Sequence, residues 1–329
     1  MADNTRIAVT GGAGLIGSSL VDELVAAGAD VVVIDDFSRG RIENLSGVED
    51  RIEIREGDLE DPGFASRALG DRFDTVYHLA SRAFGVAYSE GRHGAILQHN
   101  EAITHNLLST LAANAPARLL VTSSSCVYPD DGPDEIPELP VVTREPEAVN
   151  WGYGWAKRML EIKSELFARE NETALTIVRP FNIYGERYHW AGRFSQAIPM
   201  LVKRVLDGEN PVVVWGSGTQ RRSYIHAIDC ARMMHALVEA GVTDGPVNLG
   251  TRETITMLDL VGQIASAAGR EPQIDTDPSK PEGRAIKSAD TTRFETCLPG
   301  FKLNISFDTG LARMTGWYDA TDFGQAGDG

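Results

Sequence analysis

Over its first half, the chain alternates short apolar segments with longer amphipathic ones. The apolar segments are rich in β-branched residues and cover residues 6–10, 30–34, 52–55, 75–79, 118–123 and 174–179. Between them, residues 15–27, 101–114 and 153–170 place apolar side chains at the spacing of an α-helix. Strands that are apolar throughout and separated by helices are typical of a parallel sheet covered on both faces. The pattern predicts the α/β class, with a Rossmann-type doubly wound parallel sheet.

The pattern loosens after about residue 180, where shorter apolar segments are separated by glycine and proline. At roughly 150 residues per domain, a chain of 329 residues predicts two domains. We expect the first over residues 1–180, with a later contribution from about 225–250. Residues 181–224 and 251–320 are expected to form a smaller C-terminal α/β domain, and 321–329 a frayed tail. Residues 130–146, rich in proline and carboxylates, predict a surface loop.

Composition narrows the possible partners. The chain has 31 basic and 47 acidic residues, a formal net charge of −16, so we expect neither nucleic acid nor an anionic membrane as a partner. No apolar run approaches the roughly 18 residues of a membrane span. The N-terminus lacks a signal-peptide pattern, and three cysteines without a CxxC pair argue against a disulfide framework. We therefore expect a cytoplasmic protein, and no metal, because the histidine spacing fits no usual zinc site.

A glycine-rich loop follows the first predicted strand and opens the first predicted helix. Gly11, Gly14 and Gly17 allow a tight turn, close approach of a pyrophosphate to the backbone, and close packing of helix on strand. The helix N-terminus then supplies amide donors for the phosphates. Asp35 ends the second strand 18 residues after Gly17, where a carboxylate accepts ribose hydroxyls and repels a 2′-phosphate. The loop predicts a dinucleotide site that prefers NAD to NADP.

A tyrosine and a lysine are spaced to share one face of a later helix. Tyr153 and Lys157 stand four residues apart, and only six of the 31 basic residues are lysines, so a lysine here is informative. A neighbouring ammonium favours the phenolate, so we expect a lowered pKa for Tyr153 and a role as general base. A serine-rich segment, 122–128, follows the fifth strand at the carboxyl edge of the sheet, where ligands bind in such folds.

Together these motifs resemble the extended short-chain dehydrogenase/reductase family, in its nucleotide-sugar epimerase/dehydratase branch. Further matches follow the third and fourth strands, at 58–59 and 78–80, and lie at 179–185 and 216–224. The resemblance implies a bound NAD and a nucleotide-diphosphate-sugar substrate. It assigns the NAD contacts to Gly11, Gly14, Leu15, Ile16, Gly17, Asp35, Asp36, Asp58, Leu59, Leu79, Ala80, Ser81, Tyr153 and Lys157.

The same resemblance implies a hydride-transfer triad of Ser124, Tyr153 and Lys157. It assigns substrate contacts to Ser125, Asn182, Gln196, Arg222 and Arg284. Arginine side chains at such positions suit a diphosphate, because their paired donors match its oxygens. Family members often pair two helices from each subunit, so we expect a homodimer through residues 101–114 and 153–170.

The residue two before Tyr128 distinguishes reactions within this branch. Sugar 4,6-dehydratases carry an Asp-Glu pair there, whereas this chain has Ser125 and Cys126. The segment resembles GDP-mannose 3,5-epimerase and GDP-fucose synthase, in which the cysteine moves protons at the sugar ring. We expect Cys126, as a thiolate, to remove a proton beside a transient 4-ketone. These relatives carry a second proton carrier where this chain has Gln196, an amide that shuttles no protons near neutrality.

Several alternatives stay open from the sequence. A nucleotide-sugar 4-epimerase, similar to UDP-glucose 4-epimerase, needs only the triad and room for the ketosugar to turn over. In that case Cys126 is a packing residue, as buried free cysteines usually are. A dehydratase, a reductase and a non-catalytic NAD-binding protein on the same fold are further possibilities.

Overall fold

The computed structural model describes residues 5–83, 89–138, 143–188, 197–280 and 282–321. Its strands are β1 (Arg6–Thr10), β2 (Asp30–Asp35), β3 (Ile52–Glu56), β4 (Thr75–His78), β5 (Arg118–Thr122), β6 (Glu135–Ile136), β7 (Ala174–Pro180), β8 (Ile183–Tyr184), β9 (Val212–Trp215), β10 (Arg221–Arg222), β11 (Ile225–His226), β12 (Val247–Leu249), β13 (Ile255–Thr256), β14 (Ile274–Asp277) and β15 (Ile286–Ala289). Its α-helices are α1 (Leu15–Ala26), α2 (Pro62–Leu69), α3 (His93–Leu111), α4 (Trp151–Asn171), α5 (Ala197–Leu206), α6 (Ala227–Glu239), α7 (Met257–Ala267), α8 (Thr292–Cys297) and α9 (Phe307–Ala320). From residue 322 onward, the predicted frayed tail lies outside the described residues.

Seven parallel strands form the large sheet, in the order β12, β7, β5, β4, β1, β2, β3. The strands are apolar throughout because helices cover both faces. On one face α1 and α6 pack through residues such as Leu20 and Met234, and on the other α2, α3 and α4 pack through residues such as Leu107 and Leu160. The predicted doubly wound α/β fold is confirmed.

The chain crosses back to this sheet after leaving it. The strand β12 pairs in parallel with β7, and α6 covers the sheet face next to α1. Residues 227–249 therefore belong to the same packed layers as the first half of the chain. A cleft lies between the carboxyl ends of the large sheet's strands and the two chain segments that come before and after residues 227–249.

A smaller body of structure closes the far side of that cleft. It contains a four-stranded sheet in the order β13, β10, β15, β6 and the parallel pair β14–β9. Helices α5, α7 and α9 share a separate apolar core with these strands, with Val202, Leu260, Ile264 and Met314 at its centre. This core is independent of the two that flank the large sheet.

The prediction of a plain surface loop over residues 130–146 is wrong in part. Within it, β6 pairs in parallel with β15, and Ile136 is buried against Val127 and Tyr128. A strand of two residues between prolines has no periodicity to reveal it. Through β6, the first 180 residues also contribute a strand to the smaller sheet.

No helix among the described residues has both the length and the apolar composition needed to cross a membrane.

Candidate active site

A cleft of about 820 Å³ runs along the carboxyl ends of the large sheet. One wall is the β1–α1 loop and the segments after β2, β3, β4 and β5. The opposite wall comes from α5, β9, β10 and the residues before β15. This is the position at which open α/β sheets bind ligands, because the strand order reverses there.

The glycine loop at one end of the cleft is built for close approach. Gly11 has φ +71°, and a Cβ there would lie 2.7 Å from the amide nitrogen of Ala80. A Cβ on Gly17 would lie 2.0 Å from the Gly11 carbonyl oxygen, so neither position accepts a side chain. Helix α1 starts directly after the loop with no side-chain cap, and Gly14, Leu15 and Ile16 line the cleft. The free amides of this first turn fit a pyrophosphate.

The carboxylate predicted to bind the adenosine ribose is anchored by the backbone. Asp35 accepts hydrogen bonds from the amides of Ala13 and Phe37, each at 2.9 Å. Burial raises its pKa despite these bonds. Beside it, Arg82 bridges Asp36 and Asp58, with 2.8 Å to each carboxylate. The remaining predicted contacts on this wall all line the cleft: Leu59, Leu79, Ala80 and Ser81.

Tyr153, Ser124 and Lys157 meet in the middle of the cleft. The hydroxyls of Ser81 and Ser124 lie near the Tyr153 hydroxyl and favour its ionised form. The Lys157 ammonium lies 5.5 Å from the centre of the Tyr153 ring and donates to the Thr122 carbonyl oxygen at 2.8 Å. Helix α4 carries the tyrosine and the lysine on one face, and the 3₁₀ turn after β5 carries the serine.

The protonation of this group differs from the prediction. Burial raises the pKa of Tyr153 above its usual range, and the nearby Cys126 adds to the increase. Burial also lowers the pKa of Lys157 to about 7. The expectation of a lowered pKa for Tyr153 is therefore wrong, because its removal from water is the largest effect and opposes the phenolate. Ser81, the positive charge of Arg39 and Ser124 act in the other direction and favour the ionised form.

The Ser124–Cys126 turn is supported from below by a buried polar network. Arg179 donates to the Glu161 carboxylate from Nε at 2.8 Å and from Nη2 at 2.6 Å. Arg179 also donates to the Tyr128 hydroxyl at 3.0 Å, and Ser123 donates to Glu161. These bonds fix both ends of the turn, at Ser123 and at Tyr128, relative to α4 and β7.

Cys126 lies beside an ion pair that sequence reasoning missed. Its thiol lies beside the carboxylate of Glu147, which accepts a hydrogen bond from Lys287 Nζ at 2.5 Å. The Asn150 amide donates to the other Glu147 oxygen at 2.5 Å. Cys126, Glu147 and Lys287 all line the cleft. Lys287 is one of only six lysines in the chain. The rarity of lysine, which made Lys157 informative, therefore also pointed to Lys287.

The expected thiolate at Cys126 is not favoured by this environment. Burial, together with the negative charge of Glu147, raises the pKa of the Cys126 thiol to about 12. Burial opposes ionisation of Glu147, but the Lys287 ammonium more than offsets this and lowers the carboxyl pKa. Near neutrality the cluster therefore holds a thiol, a carboxylate and an ammonium.

The predicted substrate residues lie at the other end of the cleft. Ser125, Asn182, Arg222 and Arg284 all line it. Asn182 donates to the Ser223 carbonyl oxygen, and Arg222 donates to the carbonyls of Arg221 and Glu282.

Arg284 is turned towards a backbone loop. It donates to the carbonyl oxygens of Pro129, Gly132 and Pro133, at 2.7–3.0 Å. It therefore ties the segment before β15 to the segment before β6. Gln196, the other predicted contact, lies outside the described residues.

Comparison with known proteins agrees with this geometry. Residues 7–250 match the NAD dependent epimerase/dehydratase family. The chain is 28% identical over 320 residues to dTDP-4-dehydro-6-deoxy-D-allose reductase from a Streptomyces species, with 95% of each chain covered. It is 32% identical to UDP-glucuronic acid decarboxylase 1 from Arabidopsis thaliana, covering 94% of this chain and 68% of that protein.

A solved structure extends the comparison to three dimensions. UDP-glucose 4-epimerase from Thermotoga maritima superposes with a TM-score of 0.83 at 26% identity, covering 96% of this chain and 99% of that one. These relatives share the cofactor fold and differ in reaction. With its glycine loop, anchored Asp35 and Tyr153–Lys157 pair, the chain belongs to the NAD-dependent epimerase/dehydratase family of extended short-chain dehydrogenases/reductases.

Proposed function

We propose that the protein is an epimerase of nucleotide-diphosphate sugars that acts through a transient 4-ketosugar. The observation that carries the proposal is the meeting of Ser124, Tyr153 and Lys157 with Cys126 in one cleft. Hydroxyl and thiol groups thus reach the same substrate, the first for oxidation at C4 and the second for proton transfer at a neighbouring carbon. NAD held by the glycine loop and Asp35 would supply the hydride acceptor for this chemistry.

Tyr153 removes the C4 hydroxyl proton as the sugar is oxidised. Ser124, which lies near the Tyr153 hydroxyl, holds the C4 oxygen and lowers the cost of forming the phenolate. Lys157 adds positive charge 5.5 Å from the ring, and its fixed bond to Thr122 keeps it in place. In the reverse step the same tyrosine returns the proton to the 4-oxygen.

We assign the substrate's diphosphate to the end of the cleft at which Arg222 lies. Arg222 lies there, and its hydrogen bonds to the carbonyl oxygens of Arg221 and Glu282 fix the orientation of the guanidinium. Asn182 sits beside it with φ +34°, held by its bond to Ser223. A guanidinium held in this way suits phosphate oxygens better than a mobile lysine does.

Proton transfer beside the ketone is assigned to Cys126. A 4-ketone acidifies the C–H bonds at C3 and C5. Once the ring proton has passed to a base on the opposite face of the sugar, the Cys126 thiol, whose pKa is raised, is an effective acid towards the enolate. Dehydration is disfavoured by the same cluster. Glu147 lies beside Cys126, but its lowered pKa leaves it without a proton in the resting site, so a departing hydroxyl meets no carboxylic acid there near neutrality.

A second candidate is inversion at C4 alone. It requires only the triad and rotation of the ketosugar within the cleft, so it needs no proton carrier at position 196. The likeness to UDP-glucose 4-epimerase supports this candidate.

The two candidates are separated by isotope incorporation. Purified protein is incubated in deuterium oxide with a panel of nucleotide sugars, beginning with GDP-mannose and UDP-glucose, and the products are read by NMR. Deuterium at C3 or C5, lost in Cys126→Ser, supports the ring-carbon epimerase. Inversion at C4 without deuterium supports the second candidate and makes Cys126 a packing residue. Net consumption of reduced cofactor with no epimer formed contradicts both.

A further inference from the structure

The ion pair between Glu147 and Lys287 is unusual in its position. Both side chains are nearly inaccessible, with exposed fractions of 8% and 9%, yet both line the substrate cleft. Burying two charges is costly unless each is paired and hydrogen-bonded. Here Lys287 and Asn150 each donate to one oxygen of the Glu147 carboxylate at 2.5 Å, and the Cys126 thiol lies beside the pair.

Charged and polar residues from several segments lie near Cys126. Glu147 comes from the segment before α4, and Lys287 from β15. The Ser124 hydroxyl accepts a hydrogen bond from the Cys126 backbone amide at 3.2 Å, and Tyr153 and Lys157 approach from α4. Lys287 in turn lies near Arg222. A cysteine placed only for packing needs no such set of charged neighbours.

We propose that Lys287, Glu147 and Cys126 form a proton relay that supplies the hydrogen delivered to the sugar carbon next to the 4-ketone. The role rests on the proposed function. In the delivery step the S–H bond of Cys126 breaks and a C–H bond forms on the enolate carbon, leaving a thiolate. In the recharging step the Lys287 ammonium gives a proton to the Glu147 carboxylate, and the carboxylic acid so formed passes that proton to the sulfur and returns to a carboxylate. The net change is one proton moved from the ammonium to carbon, with no oxidation or reduction.

The charges of the cluster set the direction of transfer. Burial and the negative charge of Glu147 both disfavour a thiolate, so the resting sulfur holds its proton. Once the proton has gone to carbon, the thiolate faces that same carboxylate and takes a replacement through it. Lys287 thereby provides the proton source. The amide side chain of Gln196 cannot serve as one.

The first test measures the thiol itself and needs no substrate. Cys126 is alkylated with iodoacetamide across a pH series and followed by mass spectrometry, with Cys230 and Cys297 as internal references. Glu147→Gln removes the negative charge while leaving Lys287, so alkylation at neutral pH should rise about tenfold or more. Lys287→Met should slow it. Asp207→Asn serves as the control, because it breaks the exposed ion pair between Lys203 and Asp207 at the end of α5. Its Cys126 should be alkylated at the wild-type rate. Equal pH profiles in wild type and both cluster variants overturn the proposal.

The second test follows the ring proton in deuterium oxide. Glu147→Gln and Lys287→Met should keep the near-ultraviolet absorbance change of the hydride step and lose about a hundredfold or more in deuterium incorporation. Incorporation at the wild-type rate in both variants overturns the relay. Absence of the absorbance change in the wild-type enzyme instead contradicts the proposed function, so the two failures have different signatures.

Discussion

Replacing Glu161 with glutamine should strongly destabilise the protein. Its carboxylate receives two hydrogen bonds from Arg179, whose side chain is only 1% exposed, and a third from Ser123. Glutamine preserves the shape of the side chain but removes the negative charge. The variant therefore removes the carboxylate that pairs with a guanidinium buried in the core.

The expected magnitude follows from this burial. Removing one partner of a buried pair costs about 3–5 kcal/mol, because the remaining charge stays desolvated. That is a large part of the roughly 5–15 kcal/mol that stabilises a typical protein. For comparison, Glu165→Gln breaks the exposed pair with Arg169 on the same helix, 3.9 Å apart, and should cost under about 1 kcal/mol.

The free energy of unfolding is measured by urea titration for the wild type and the two variants. A double variant, Glu161→Leu with Arg179→Met, removes both charges and should recover most of the loss. A Glu161→Gln variant within about 1 kcal/mol of the wild type would refute the reasoning, because the buried arginine would then need no carboxylate.

Three further outcomes are expected. Asp35→Ala should weaken NAD binding about tenfold or more and reduce the preference over NADP, measured by calorimetry with both cofactors; unchanged affinities would contradict the ribose assignment. Lys157→Met should lose about a hundredfold or more in turnover yet be more stable. Burial lowers the pKa of Lys157 from 10.5 to about 7. Between these pH values the Lys157 side chain is protonated in the unfolded chain and neutral in the folded protein. The stability gain should thus be largest below pH 7 and shrink as the pH rises, and a constant gain would argue against the shift. Ile162 and Leu166 on α4 are each 50% exposed, and Ile162→Glu should convert the proposed homodimer to monomers in sedimentation; a monomeric wild type would overturn that proposal.

Much of the fold could be predicted because its cause is local. Apolar strands such as β2 and β5 are buried on both faces, so their composition alone reveals them. The two-residue β6 was missed because its pairing with β15 is set by residues far along the chain. The glycine loop was recognisable since its constraints, such as φ +71° at Gly11, are read directly in the sequence.

The electrostatics of the site could not be predicted in the same way. The spacing of Tyr153 and Lys157 placed them on one face of α4 but gave no measure of burial, which decides both pKa values. Glu147 and Lys287 are separated by 140 positions, and only the tertiary fold brings them to Cys126. A sequence motif names the groups of a site, whereas their protonation depends on neighbours that no local pattern contains.

The central claim is that a hydride leaves C4 of a nucleotide sugar and returns to the same molecule. It is tested most directly with a substrate that carries deuterium at C4, incubated with the enzyme and analysed by mass spectrometry and NMR. The account predicts an epimer that retains the label at C4 in wild type, and no product with Tyr153→Phe. Loss of the label to solvent or to an exchanging cofactor pool would contradict the account.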